Sequence, residues 1–148
     1  MSAMILIMQK FIFFIFFAFQ ISAHTETKEW ILIHTDKIQG ISFFVSLGDF
    51  PFINNQTRMW IMENFEQLQQ VQHLQYNSTK SLVQFDCTLN TMRILAYSLH
   101  KSPNASGNAI FNKNVALEWS KIKPNSINEA YQEIACQEAS TKKIKYLQ

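Results

Sequence analysis

The chain has 148 residues, 47% hydrophobic and 14% aromatic, with 13 Lys or Arg against 11 Asp or Glu and a formal net charge of +2. That length holds one domain with a modest core. The near-neutral balance lacks the basic stripe a nucleic-acid partner needs, so that class is set aside.

The first segment is not part of the domain. Lys10 is followed by a nine-residue apolar run, residues 11–19, and then by Gln-Ile-Ser-Ala ending at Ala23. This order predicts a secretory signal peptide over residues 1–23 and a single domain over 24–148. A membrane anchor is the alternative, but nine helical residues rise roughly 14 Å against about 30 Å of hydrocarbon. Met1, Met4 and Met8 are all available as starts, and Met8 gives the more ordinary leader. No cysteine lies near the cleavage point, so a lipid anchor has no attachment residue. Export leaves the cell surface or outer membrane, the periplasm and the medium as destinations.

Short strand-like runs follow. Residues 29–35 (Glu-Trp-Ile-Leu-Ile-His-Thr) and 41–45 (Ile-Ser-Phe-Phe-Val) flank a turn and predict a hairpin. Gly48, Pro51, Asn54 and Asn55 mark a loop, and residues 57–65 predict a third strand. Residues 66–77 are Gln-rich, with Leu68, Val71 and Leu74 at a spacing of three; they read as a long, partly helical connection. Residues 80–87 alternate so that Val83, Phe85 and Cys87 share an inward face. The turn Thr88-Leu89-Asn90 leads into a fifth strand over 91–99. A loop with Pro103 and Gly107 precedes a short sixth strand, 108–112.

The last element has the clearest start signal. Trp119 and Ile122 sit as apolar anchors in an extended segment, and Pro124 stops any helix before it. Ser126 reads as the N-cap and Glu129, three residues on, completes a capping box. Ile127, Ala130, Tyr131, Ile134 and Ala135 form one apolar stripe, with Cys136 at its edge. Residues 137–148 read as a frayed polar tail. Strands followed by one helix predict an α+β fold, an antiparallel sheet of about six strands covered by a C-terminal helix.

The chain has two cysteines, Cys87 and Cys136. In an exported protein an isolated pair reads as a disulfide; free thiols or metal ligands are the alternatives. Neither cysteine has His or Cys beside it at ligand spacing. Signals for chemistry are sparse. His24, His34, His73 and His100 are scattered, no Gly-rich phosphate loop or nucleophile elbow is present, and nothing marks Glu63 and Glu66 as an acid/base pair. No catalytic residue, metal ligand or cofactor is assigned, and the chain reads as a non-enzyme.

Several residues also carry a family resemblance. The run Ser81-Leu-Val-Gln-Phe-Asp-Cys87, then Arg93, Tyr97-Ser98, Gly107, Glu118-Trp119, Ile122, Pro124-Asn-Ser126, Asn128-Glu129-Ala130 and Cys136 resemble the bacterial surface-adhesin protein E family. Trp30 and Trp60 fit the same pattern. The resemblance implies a six-stranded antiparallel sheet with its last helix tethered by Cys87 and Cys136, and makes Trp30, Trp119, Ser126 and Glu129 structural anchors. It also implies a surface-exposed protein that binds host proteins such as vitronectin, laminin and plasminogen; haem binding and homodimers are associated with the founding member. That member resembles a lipoprotein, whereas this leader lacks the lipid-accepting cysteine.

The functional expectation is therefore a binding protein using its uncovered sheet face and loops. An envelope structural protein of the same fold, or a small-ligand (haem) binder, are the alternatives.

Overall fold

The computed structural model describes residues 29–145 apart from Asp49. The expected signal peptide and residues 146–148 lie outside the described residues. Six strands form an antiparallel meander: β1 (Ile31–Asp36), β2 (Ile41–Ser46), β3 (Gln56–Val71), β4 (Leu74–Asp86), β5 (Thr91–His100) and β6 (Ala109–Lys113). A two-residue strand, β7 (Ser120–Lys121), pairs with the first residues of β5, while β6 pairs with its last four. Helix α1 (Ile127–Lys145) closes the chain. The α+β architecture, the number of strands and the C-terminal helix agree with the sequence reading.

The alternation of each strand decides which side the helix covers. Register sets Val45 against Ile61 and Met59 against Val83. Those four, with Phe43 and Phe85, form one apolar face that buries Tyr131 and Ala135 of α1. Val83 and Phe85 are fully buried, as their alternation predicts. Two aspartates fix the tight turns. Asp36 Oδ1 accepts the Ile38 and Gln39 N–H groups at 2.9 and 3.0 Å. Asp86 Oδ1 accepts those of Thr88 and Leu89 at 3.0 and 2.8 Å. Gly40 ends the first turn at φ +66°, where a Cβ would also lie 3.0 Å from Glu66 Oε2, so only glycine fits without strain.

Residues 66–77 correct the expectation of a partly helical connection. They continue β3 and begin β4, turning at Gln72 (φ +53°) and His73. Gln69 pairs with Tyr76, Gln70 with Gln75 and Val71 with Leu74. β2 pairs with β3 only as far as Phe65, and β5 with β4 only from Ser78, so this hairpin projects past both neighbours as an arm. The three-residue spacing of Leu68, Val71 and Leu74 is incidental, since Leu68 and Val71 are exposed. Main-chain pairing across the arm satisfies groups that a helix with one narrow stripe would have had to satisfy alone.

Two further corrections concern the ends of the expected elements. α1 does not fray after Cys136 but runs to Lys145, and Ala139 is buried. The sheet face away from the helix is also not simply open. A 3-10 turn, Pro103–Ala105, docks against it. There Ser78 Oγ donates to Ser102 O at 2.6 Å and accepts Ala105 N–H at 3.0 Å, while Asn64 and Asn104 exchange two hydrogen bonds.

Candidate functional site

The helix is held at both ends of its first half. The Cys87–Cys136 disulfide ties it to the end of β4, with Cα atoms 5.9 Å apart and 49 residues of sequence separation. One turn earlier, buried Gln132 donates through Nε2 to Asp86 O at 2.9 Å and to Asn90 Oδ1 at 3.3 Å. Helix and β4–β5 turn are thus joined covalently and by hydrogen bonds at one corner. At the helix start, Ser126 Oγ accepts Glu129 N–H at 3.4 Å, and Glu129 Oε2 reaches back to Asn125 N–H at 2.7 Å. The reciprocal bond lands one residue before the cap, because Asn125 takes φ +58° and turns its N–H toward the helix.

Trp119 packs elsewhere than under the helix. The Arg93 guanidinium carbon lies 4.6 Å from its ring centroid. Arg93 alternates with Met92, which packs on the core, so this contact lies on the helix-free face. From there a chain of polar side chains crosses the sheet. Arg93 Nε donates to Gln84 Oε1 at 2.9 Å, Gln84 Nε2 to Gln56 Oε1 at 2.9 Å, and Gln56 Nε2 to Asp86 Oδ2 at 3.2 Å. The Leu89 N–H first, then Gln56 and the Thr88 N–H, hold the Asp86 carboxyl below the usual range. Farther along, Lys80 Nζ sits 4.7 Å over the Trp60 ring. Trp30 precedes β1 and is half-buried.

Two clefts flank the first turns of α1. One, of about 530 Å³, lies toward β1 and β2 and is lined by Ile33, His34, Phe43 and Ile127 among others. His34 stacks on Phe43 there, with centroids 5.9 Å apart. The other, of about 310 Å³, lies between α1 and the segment that joins β6 to β7. Leu117 N–H donates to Ile94 O at 2.8 Å and so pins that segment as an outer wall. Ile61, Val83 and Ile94 supply apolar walls; Glu63, Thr79, Ser81, Tyr97, Asn128 and Tyr131 bring polar groups.

Glu63 occupies the helix-side register of β3, after Met59 and Ile61 and opposite Phe43 and Thr79. Burial pushes its carboxyl up, and a hydrogen bond from Thr79 Oγ1, 3.3 Å, offsets part of that. Tyr131 is 1% exposed and its hydroxyl has no hydrogen-bond partner among the described residues. Burial first, then the Glu63 charge, push that hydroxyl well above the ordinary phenol range. Sequence reading noticed Glu63 and Tyr131 but gave neither a site. The available signal was an acidic residue in register with two buried apolar ones.

Apolar side chains rim this side of the molecule. Phe111 of β6 meets Tyr97 at 5.6 Å, and Ile110, Phe111, Val115 and Leu117 are all exposed. His100 is buried on the opposite face, with Ser98 Oγ 2.9 Å from its Nε2; His73 is at the exposed tip of the arm. Among the described residues no group of three or more His, Cys, Asp or Glu is placed to hold a metal ion, and no helix is long and apolar enough to cross a membrane.

A family model described as surface-adhesin protein E matches residues 30–137. That span runs from the tryptophan before β1 to the residue after Cys136, so it takes in all seven strands and the disulfide-bonded half of α1. No curated protein and no solved structure matches the chain.

Proposed function

The chain belongs to the surface-adhesin protein E family, and from that premise we propose that it is exported to the cell surface and binds host extracellular proteins. The match over residues 30–137 carries this reading. The family is one of binding proteins rather than enzymes, and its name places them at the surface. Vitronectin, laminin and plasminogen are the host partners that the sequence resemblance implies.

The arm supports the reading as a docking element. Residues 69–71 pair only with residues 74–76, so each short run presents an outer strand edge on which an extended segment can pair. Leu68 and Val71 are 55% and 44% exposed on it. The partner we assign to these edges is an extended stretch of a host matrix protein.

Surface labelling of intact cells tests exposure first. Labelling without permeabilisation is the expected result; protection until the outer membrane is opened would sink the adhesin reading in favour of a structural envelope protein. Solid-phase binding to vitronectin, laminin and plasminogen then tests the ligand. Replacing Leu68 and Val71 by lysine should reduce binding while leaving the fold intact, because both side chains are exposed. Undiminished binding would remove the arm from the interface.

A further inference from the structure

The cavity beside α1 has features that a core defect lacks. Its apolar walls, Ile61, Val83, Ile94 and Leu117, come from three strands and from the segment pinned by the Leu117–Ile94 hydrogen bond. Tyr131 lies among the lining residues with a buried hydroxyl that nothing among the described residues satisfies. Natural proteins leave few such groups, and an unmade hydrogen bond of this kind marks a place where a partner belongs. Glu63 stands near it. Thr79 supplies one long hydrogen bond at 3.3 Å, and no other protein donor reaches the carboxyl among the described residues. Among the described residues no Lys, Arg or His lines the cavity, and Glu63 is the acidic one, so the formal charge they bring is negative and uncompensated.

These facts define a ligand. It needs an apolar body to fill about 310 Å³ between aliphatic walls. It needs a cationic head, because a buried carboxylate without a counter-charge is costly and a paired one is not. The head must also carry more than one N–H, since the carboxylate has a single long donor bond and the phenol oxygen has none among the described residues. A primary ammonium on a short aliphatic stem meets all three demands; a carboxylate-bearing ligand would add a second negative charge. We propose that this cavity is a binding site for a primary aliphatic ammonium group, with Glu63 as its counter-ion and the Tyr131 hydroxyl as a second acceptor. Two sources present that chemistry, a free alkylamine and a lysine side chain of a docked protein.

This site is distinct from the arm, and its test does not depend on a host protein. Calorimetric titration of the purified protein, disulfide intact, would use n-pentylamine, n-pentanol and pentanoate as probes of one size and three charges. Pentylamine should bind, pentanol about tenfold or more weakly, and pentanoate not at all. A blocked lysyl peptide distinguishes the sources: binding of both amines assigns the site to lysine side chains, and binding of pentylamine alone assigns it to free amines. Glu63→Gln keeps the shape and the Thr79 contact, and should lose amine affinity by about tenfold or more while leaving pentanol binding unchanged. Tyr131→Phe should weaken the amine by a smaller factor. Equal binding of the three probes, no binding of pentylamine at millimolar concentration, or full amine affinity in Glu63→Gln would each overturn the proposal. None of those results would bear on surface labelling or on vitronectin binding.

Discussion

The two faces of the sheet are built by different physics. Toward α1, Phe43, Val45, Met59, Ile61, Val83 and Phe85 pack on Tyr131 and Ala135, and a disulfide fixes the result. On the other side the cross-sheet contacts are polar or cationic: Asp86 to Gln56 to Gln84 to Arg93 to Trp119, Lys80 over Trp60, and Asn64 and Ser78 to the 3-10 turn. Apolar burial and a covalent link are worth several kcal/mol each, whereas hydrogen-bonded polar pairs, partly buried as these are, net about 1 kcal/mol each. The helix face should therefore set global stability. The polar face should set how the surface loops and β7 are arranged, with little effect on unfolding.

The largest expected break of this contrast is Phe85→Ala. Phe85 is fully buried at the centre of the helix face, and its truncation should cost about 3–5 kcal/mol. Chemical denaturation read by tryptophan fluorescence would measure it; a loss below about 1 kcal/mol would mean that the core collapses around the gap and does not depend on this ring. Next comes the disulfide. Opening a loop of 49 residues removes on the order of 4 kcal/mol in the chain-entropy account. Replacing Cys87 and Cys136 together by serine should lower the denaturation midpoint accordingly. Gln132 would still hold the same corner through Asp86 O and Asn90, so the helix should stay docked when the protein is folded. Loss of helical signal under native conditions would show instead that the covalent link alone keeps α1 in place.

How far these features were visible in the sequence follows the same division. Strand alternation is local, so Val83 and Phe85 could be placed inward from their spacing alone. The helix start was legible too, since Pro124, Ser126 and Glu129 lie within six consecutive residues. The arm was not, because a hairpin there is decided by pairing between residues 69–71 and 74–76, while glutamine's own propensity points toward helix. The helix beyond Cys136 was missed because, among residues 137–141, Ala139 is the one that is buried, too weak a stripe to read. The cavity was out of reach for another reason. Glu63 faces Thr79 through strand register and stands near Tyr131 through helix docking, and neither relation leaves a trace at fixed spacing. Tyr131 was correctly seen as core, but a ring can fill a core while its hydroxyl waits for a partner.

On the polar face the expected effects are small. Arg93→Ala removes a guanidinium stacked on Trp119 and the hydrogen bond to Gln84. The cost should be about 1–2 kcal/mol, combining a cation–π contact and one polar bond. Trp119 fluorescence should change even so, since the ring loses its neighbour. A cost comparable to that of Phe85→Ala would erase the proposed difference between the faces.

The finest test uses protons, because each face carries one group whose protonation differs on folding between about pH 4.5 and 6.5, and the two act in opposite directions. Glu63, on the helix side, has its carboxyl raised above 4.5, chiefly by burial. The folded protein therefore keeps that proton to higher pH than the unfolded chain. Its contribution is fully present below about pH 4.5 and is lost as pH rises through the folded value. His100, on the polar side, is lowered below 6.5 by burial first and by Lys80 second. The unfolded chain takes up that proton more readily, so the contribution of His100 is present above about pH 6.5 and is lost as pH falls through the folded value. Where the two windows overlap, between those limits, the slopes oppose and the wild-type curve of Tm against pH should be flatter than either variant's. Glu63→Gln leaves His100 acting alone, so stability should rise with pH across the overlap. His100→Gln leaves Glu63 alone, so stability should fall. If both variants run parallel to the wild type, neither group changes its protonation on folding, and the faces differ only in packing. If only Glu63→Gln departs, burial shifts protonation on the cavity side alone.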